Sequence, residues 1–135
     1  MRIVTIFLDA SYLLALYNED DLFHKQALAV RGKIESDEYG QMLTSDDVFD
    51  EVLSVALRKF GKEKAQIFGK QILNSIFIVH GGKHIFNAAC EIFNNSKYNF
   101  SFTDCTSQAI MKMAQIDYIA TFDKEFDNIN VKVIS

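Results

Sequence analysis

Short apolar runs alternate with longer amphipathic segments along the chain, and this alternation constrains the fold more than any other feature. The runs are rich in β-branched residues, as is typical of buried strands, and they cover residues 3–8, 42–44, 76–79, 118–120 and 131–134. Apolar residues at helical spacing predict helices over residues 11–17, 22–34, 46–60, 62–73, 84–93 and 103–114, with a helical turn over 123–127. The alternation predicts an α/β fold with a mostly parallel sheet covered by helices on both faces.

We expect the whole chain, residues 1–135, to form a single domain. The sequence contains no repeat, Gly/Ser linker or proline, and its 49% hydrophobic and 24% charged residues are ordinary for a globular protein. The first apolar run ends at Asp9, and further acidic residues follow soon after. We therefore expect neither a signal peptide nor a membrane span, and we expect the protein to be cytoplasmic.

Several cysteine, histidine and aromatic residues are predicted to have structural roles. Cys90 and Cys105 lack CxxC spacing, so we expect buried free thiols. His80 and His84 are four residues apart, but the glycines between them disfavour a zinc-binding helix, and we expect a surface turn. Six phenylalanines are predicted to lie in the core and not to stack on bases: Phe49, Phe60, Phe68, Phe77, Phe86 and Phe93.

Two aspartates follow predicted strands. Asp9 ends the first apolar run, and Asp123 comes three residues after Ala120, the end of the fourth run. In open α/β sheets, ligands bind at the carboxyl ends of strands near a switch in strand order, so both residues are candidates for a binding site. An aspartate can also cap a helix by accepting backbone N–H bonds, and both interpretations remain open at this point.

Two further acids, Glu51 and Asp104, lie in predicted helices. Glu51 comes three residues after Val48 and four before Val55, so it lies beside the apolar face of its helix. A carboxylate in that position needs a partner or a metal ion. Asp104 lies at the start of the helix that follows Ser101, where a role in the first helical turn competes with a functional one.

Together the four acids predict a site for a hard divalent cation. Carboxylates from separate segments supply the oxygen ligands that such ions prefer, and the ions retain several waters for the reaction. The formal net charge of -4 and the pI of about 5.3 argue against a broad basic surface for nucleic acid. They do not exclude a nuclease, because metal-binding carboxylates supply part of the negative charge and a bound cation inverts the local field.

Four segments resemble, in chain order, the four motifs of PIN domains, and the closest resemblance is to VapC-like toxin nucleases of prokaryotic toxin–antitoxin pairs. The segments are FLDASY at 7–12, VFDEVL at 48–53, FSFTDC at 100–105 and ATFDKEF at 120–126. The resemblance spans essentially the whole chain, and the third and fourth segments are the most specific. It implies a PIN-like domain with three α/β/α layers and the activity of a metal-dependent endoribonuclease on single-stranded RNA.

The resemblance also implies roles for individual residues. The acids that would form a Mg²⁺ or Mn²⁺ site are Asp9, Glu51, Asp104 and Asp123, and the supporting positions are Ser11, Thr121 and Lys124. The ion would activate a water for in-line attack on a phosphodiester, with Glu51 as a ligand or as the group that positions the water. One ion or two would serve, and Asp127 is either an additional acid or a solvated surface residue.

The same resemblance implies partners, and two alternatives to the nuclease remain open. We expect a homodimer, held inactive by a small antitoxin protein that reaches into the acidic groove. A haloacid-dehalogenase-like phosphatase also begins with a strand that ends in Asp, but it requires a second Asp where this chain has Ser11. A catalytically silent PIN-fold module would bind RNA or protein and would use the acids as helix caps.

Overall fold

The computed structural model describes residues 4–135, except for the side chains of Asp37 and Glu38. The strands are β1 (Thr5–Leu8), β2 (Gln41–Ser45), β3 (Phe77–Val79), β4 (Tyr118–Ala120) and β5 (Lys132–Ile134). The α-helices are α1 (Ala10–Tyr17), α2 (His24–Lys33), α3 (Asp46–Phe60), α4 (Lys62–Ser75), α5 (Gly82–Asn95) and α6 (Phe102–Ala114). A π-helical segment, Ile34–Glu38, continues α2, and a 3₁₀ turn, Lys124–Asn128, separates β4 from β5. Each predicted element is present: the bounds of α3 and β4 agree with the prediction, and the others differ at one or both ends. Ile3 in the first predicted strand lies outside the described residues.

The strands form one sheet in the order β3-β2-β1-β4-β5, and every neighbouring pair is parallel. The predicted three-layer α/β/α architecture is confirmed, with a sheet that is wholly parallel within residues 4–135. From the central β1 the chain moves outward to β2 and β3, and later fills the other side with β4 and β5. The switch in strand order therefore lies between β1 and β4, where ligands bind in folds of this kind.

Residues of β1 form the centre of the core. Ile6, Phe7 and Leu8 are almost completely buried, as expected for a central parallel strand covered on both faces. The helix α3 buries Val48 and Val52 at helical spacing, packs against α1, α4 and α6, and ends at Gly61, whose φ of 91° favours glycine. Among the helices of the described residues, none is long and apolar enough to cross a membrane.

The core assignment of the aromatic residues is wrong for three of the six phenylalanines. Phe68 is buried and Phe49 and Phe60 are half-buried, but Phe77, Phe86 and Phe93 are 60%, 57% and 51% exposed. On α5, the core face is occupied by small or aliphatic residues, Ile85 and Ala89, and the phenylalanines occupy neighbouring faces. Residue type alone could not show which apolar face of α5 is buried.

The cysteines and histidines largely match their predicted roles. Both cysteines are free thiols, with Cys105 buried and Cys90 half-buried. His80 is exposed in the turn between β3 and α5, so it does not share a helix with His84. The ring of His80 instead contacts Asp46 at the start of α3, with 3.0 Å between Nδ1 and Oδ2.

Candidate functional site

The Asp9 side chain is buried at the carboxyl end of β1, with only 3% exposure. Leu8 pairs with Ala120 across β1 and β4, and the Asp9 N–H donates to the Ala120 carbonyl at 3.0 Å. The carboxylate atom Oδ2 accepts hydrogen bonds from the Thr121 hydroxyl at 2.7 Å and the Ser11 hydroxyl at 3.1 Å. Asp9 occupies the N-cap position of α1, yet its side chain makes no capping bond, so the capping interpretation is wrong here.

Ser11 and Thr121 connect the two sides of the switch in strand order. Their hydroxyl oxygens lie 3.1 Å apart, and the Ser11 oxygen accepts the Phe122 N–H at 3.0 Å. The Thr121 oxygen accepts the Asp123 N–H, also at 3.0 Å. These bonds fix the positions of Asp9 and Asp123 relative to each other, because the same hydroxyl that holds one carboxylate holds the backbone of the other residue.

Asp104 and Asp123 do act as helix caps, as the structural alternative predicted. Asp104 forms a reciprocal capping box with Ser101: its Oδ2 accepts the Ser101 N–H at 3.0 Å, and its N–H donates to the Ser101 hydroxyl at 3.1 Å. Asp123 Oδ1 accepts the Glu125 N–H at 3.0 Å. Each cap bond thus uses one carboxylate oxygen, Oδ2 of Asp104 and Oδ1 of Asp123.

The four carboxylates lie close enough to repel one another. Burial, followed by the charges of Asp9, Asp104 and Asp123, raises the pKa of Glu51 to about 7. Burial and then the charge of Asp9 raise the pKa of Asp104 to about 6, against the opposing effect of its hydrogen bonds to Ser101. The pKa of Asp9 is also raised, mainly by burial and to a smaller extent by Asp123. The fold therefore gathers the four predicted acids into one electrostatically coupled group.

Among the described residues, positive side chains do not form ion pairs with this group. Within residues 4–36 and 39–135, no Lys, Arg or His forms an ion pair with any of the four acids. No three His, Cys, Asp or Glu side chains of that part of the chain are close enough together to hold an ion directly. Carboxylate oxygens are the ligands that Mg²⁺ and Mn²⁺ prefer, and these ions also keep part of their hydration shell. The four acids therefore fit such an ion by the chemistry of their donor atoms, and the described side chains do not form a ready-made ligand cluster.

A pocket of about 160 Å³ borders the group beside Asp123. Lys124 and Asp127 line it, and both side chains are exposed. Phe23 and Phe122 also line it, and their rings stack with centroids 4.8 Å apart. Phe23 was not predicted from the sequence, because its stacking partner Phe122 lies far along the chain. The capping box was also missed, although its Ser-x-x-Asp spacing is readable at Ser101.

The protein is an open-sheet α/β domain with parallel strands, and its four clustered acids lie at the switch in strand order, where ligands bind in this class of fold. The family model described as PIN domain matches residues 6–132, and the chain therefore belongs to the PIN domain family. Membership of this family rules out the alternative of a haloacid-dehalogenase-like phosphatase. No curated protein matches the sequence significantly.

Solved structures similar to the chain include VapC proteins and their assemblies. VapC20 of Mycobacterium tuberculosis, described as a sarcin-ricin-loop-cleaving toxin, is 25% identical, with a TM-score of 0.83 over 91% of this chain and 93% of that one. VapBC2 of Rickettsia felis, bound to a DNA fragment from its promoter, is 14% identical with a TM-score of 0.72, over 96% and 97% of the two chains. FitAcB of Neisseria gonorrhoeae is 16% identical with a TM-score of 0.70, over 96% of each chain. The last two likenesses show the fold alone.

Proposed function

We propose that this protein is a divalent-metal-dependent endoribonuclease that cleaves single-stranded RNA in the cytoplasm and serves as the toxin of a toxin–antitoxin pair. The observation that carries the proposal is the group of four mutually repelling carboxylates, which form no ion pair with a cation of the described part of the chain. Membership of the PIN family and the 25% identity to a VapC toxin support a nuclease of this type.

Each residue of the group has a defined part in this proposal. Asp9, Asp104 and Asp123 would hold Mg²⁺ or Mn²⁺, directly or through water, and Glu51 would be a further ligand or would orient the attacking water. When bound, the ion lowers the pKa of water and stabilises the leaving oxygen of an in-line displacement. Ser11 and Thr121 act on Asp9 by holding its Oδ2 atom, and so fix the direction of its carboxylate.

Cleavage of labelled single-stranded RNA tests the proposal. The purified protein is freed of any bound partner and assayed with Mg²⁺, with Mn²⁺ and with chelator. Asp104→Asn is the informative variant, because an amide oxygen can still accept the Ser101 N–H and preserve the capping box. Glu91→Gln, an exposed acid on α5, is the matched control.

We expect metal-dependent cleavage by the wild type and by the control. For Asp104→Asn we expect a loss exceeding the roughly 10- to 100-fold effect that outer-shell partners of metals have. Equal activity of Asp104→Asn and wild type, or cleavage in chelator, would contradict the metal mechanism. Inactivity of the wild type on varied RNAs would favour the silent binding module instead.

An inhibitory antitoxin is part of the same proposal. None of the ion pairs among the described residues includes one of the four acids. An Arg or Lys side chain of a partner would neutralise these acids through charge-assisted hydrogen bonds. A small antitoxin that inserts such a side chain would exclude the metal ion. Co-expression with the product of an adjacent short reading frame, followed by an activity assay, tests this: a copurifying product that leaves cleavage unaffected would contradict it.

We further propose that the protein forms a homodimer through the aromatic cluster of Phe86, Phe93 and Phe102. The rings of Phe86 and Phe93 contact Phe102 at 5.6 and 6.2 Å between centroids, which joins α5 to α6 with exposed apolar surface. Apolar patches of this kind mark interaction surfaces. Light scattering over a wide concentration range should show a dimer that Phe86→Ser weakens and Leu22→Ser leaves intact, and monomer throughout would refute the proposal.

A further inference from the structure

A column of three aromatic rings runs from the core to the surface beside the four acids of the candidate site. Tyr12 is buried, Phe122 is half-buried and Phe23 is 44% exposed. The ring centroids of Tyr12 and Phe122 lie 6.3 Å apart, and those of Phe122 and Phe23 lie 4.8 Å apart at an interplanar angle of 11°. The column therefore ends at the surface with the nearly parallel ring of Phe23.

The outer end of this column borders a pocket that is continuous with the candidate site. Phe23 and Phe122 line the pocket of about 160 Å³ together with Asp123, a member of the carboxylate group. Lys124, the next residue, also lines it and is exposed. A flat apolar surface, a positive side chain and the reaction site thus meet in one pocket.

Local hydrogen bonds hold Phe23 in place. The side chain of Asp21 accepts the Phe23 N–H at 2.8 Å. The His24 ring lies 2.8 Å from the Ala15 carbonyl oxygen, to which Nδ1 must donate, and this bond fastens the start of α2 to α1. These bonds hold the backbone around Phe23, and the stack on Phe122 orients its ring. The Phe23 ring is therefore positioned before any ligand arrives, which lowers the entropic cost of binding.

We propose that this pocket binds one nucleobase of the RNA substrate, stacked on Phe23 as the next ring of the column, with an adjacent phosphate paired to Lys124. A nucleobase suits the pocket because every base has a flat π face, and stacking on an aromatic side chain tolerates different sequences. Lys124 supplies a positive charge for the RNA backbone beside carboxylates that repel it. The inference rests on the proposed ribonuclease function and assigns to Phe23 the role of positioning the strand next to the cleaved bond.

Measurements of RNA affinity distinguish base stacking on Phe23 from a role in which Phe23 only covers Phe122. Binding of a fluorescent single-stranded RNA is measured by anisotropy with Mg²⁺ present, in the Asp104→Asn background so that the RNA stays intact. Phe23→Leu keeps apolar cover over Phe122 but loses the aromatic face, and we expect roughly 5- to 150-fold weaker binding. Phe23→Trp should bind like the parent, and so should Leu22→Ala, whose side chain is 92% exposed beside the column. Parent-like affinity of Phe23→Leu would overturn the proposal.

Tryptophan fluorescence gives a direct second test, because the chain has no Trp. In Phe23→Trp, emission should be quenched as RNA binds, since a base stacks on the indole. Phe77→Trp, at an exposed site on β3, is the matched control and should show no change. RNA binding without quenching in Phe23→Trp would refute only the stacking pocket, whereas failure of the parent to bind or cleave any RNA would refute the proposed function as well.

Discussion

Replacing Glu51 by Gln is expected to stabilise the metal-free protein at neutral pH. Burial and the charges of Asp9, Asp104 and Asp123 raise the pKa of Glu51 to about 7. A carboxyl group with a higher pKa in the folded state than in the unfolded state destabilises the fold when it ionises. The destabilisation is absent below the unfolded pKa and complete above the folded one, and a neutral amide removes it.

The expected gain follows from the size of the pKa change. A rise from the ordinary value of 4.5 to about 7 corresponds to at most about 3 kcal/mol. Glu51 is half-buried, and solvent screening reduces this to about 1–2 kcal/mol. For a domain of 135 residues, such a gain raises Tm by roughly 3–10 °C.

Thermal unfolding in chelator, followed by circular dichroism between about pH 4.5 and pH 8, measures the effect. The Tm difference between Glu51→Gln and wild type should be largest near the upper limit and vanish near the lower one, and the exposed control Glu91→Gln should show neither trend. Added Mg²⁺ should stabilise the wild type more than the variant. A variant that is no more stable than wild type at about pH 8, or equally stabilised at all pH values, would refute the electrostatic reasoning.

Three further predictions concern the same group. Thr121→Val should destabilise the protein by about 1–3 kcal/mol in chemical denaturation, because it deprives the Asp9 carboxylate and the Asp123 N–H of a partner, and Thr121→Ser should restore most of this; an equal loss in both would contradict the hydroxyl's role. Asp104→Ala should be less stable than Asp104→Asn by about 0.5–2 kcal/mol, since only the amide preserves the cap, and equal stability would contradict this. Affinity for Mg²⁺ should rise with pH through the range of about 6 to 7, because binding displaces protons from the acids, and calorimetry in two buffers that detects no proton release would contradict it.

Local sequence patterns predicted the helices and strands but not which of them lie side by side in the fold. The run that became β1 is apolar except for Thr5, as expected for a strand with both faces covered, so its strand character was readable from the sequence. Its place between β2 and β4 was not readable, since strand order depends on contacts between distant segments. The π-helical segment Ile34–Glu38 was not predicted, because the predicted helix ended at Ile34 and the residues that follow it are polar and carry no helical apolar spacing.

The candidate site was predictable as a set of acids, whereas the conformation of each acid was not. Asp9 and Asp104 both lie at the start of helices, but only Asp104 caps one. The difference arises because the Thr121 hydroxyl, which lies 112 positions from Asp9 in sequence, draws the Asp9 carboxylate toward β4. Phe23 was missed for a similar reason, since its stacking partner Phe122 comes from a distant loop.

Capping and cation binding are compatible at Asp104, and their balance can be worked out. Its hydrogen bonds to Ser101 stabilise the ionised form, but burial and the charge of Asp9 oppose them, and the pKa still rises to about 6. The cap therefore orients the carboxylate without neutralising the group to which it belongs. Binding of any positive group would relieve the repulsion among the four acids and would be favoured for that reason. This applies to a hydrated divalent ion and to a basic side chain of a partner. Both ligands would neutralise the same carboxylates, so inhibition by the proposed antitoxin should weaken as the concentration of Mg²⁺ or Mn²⁺ rises.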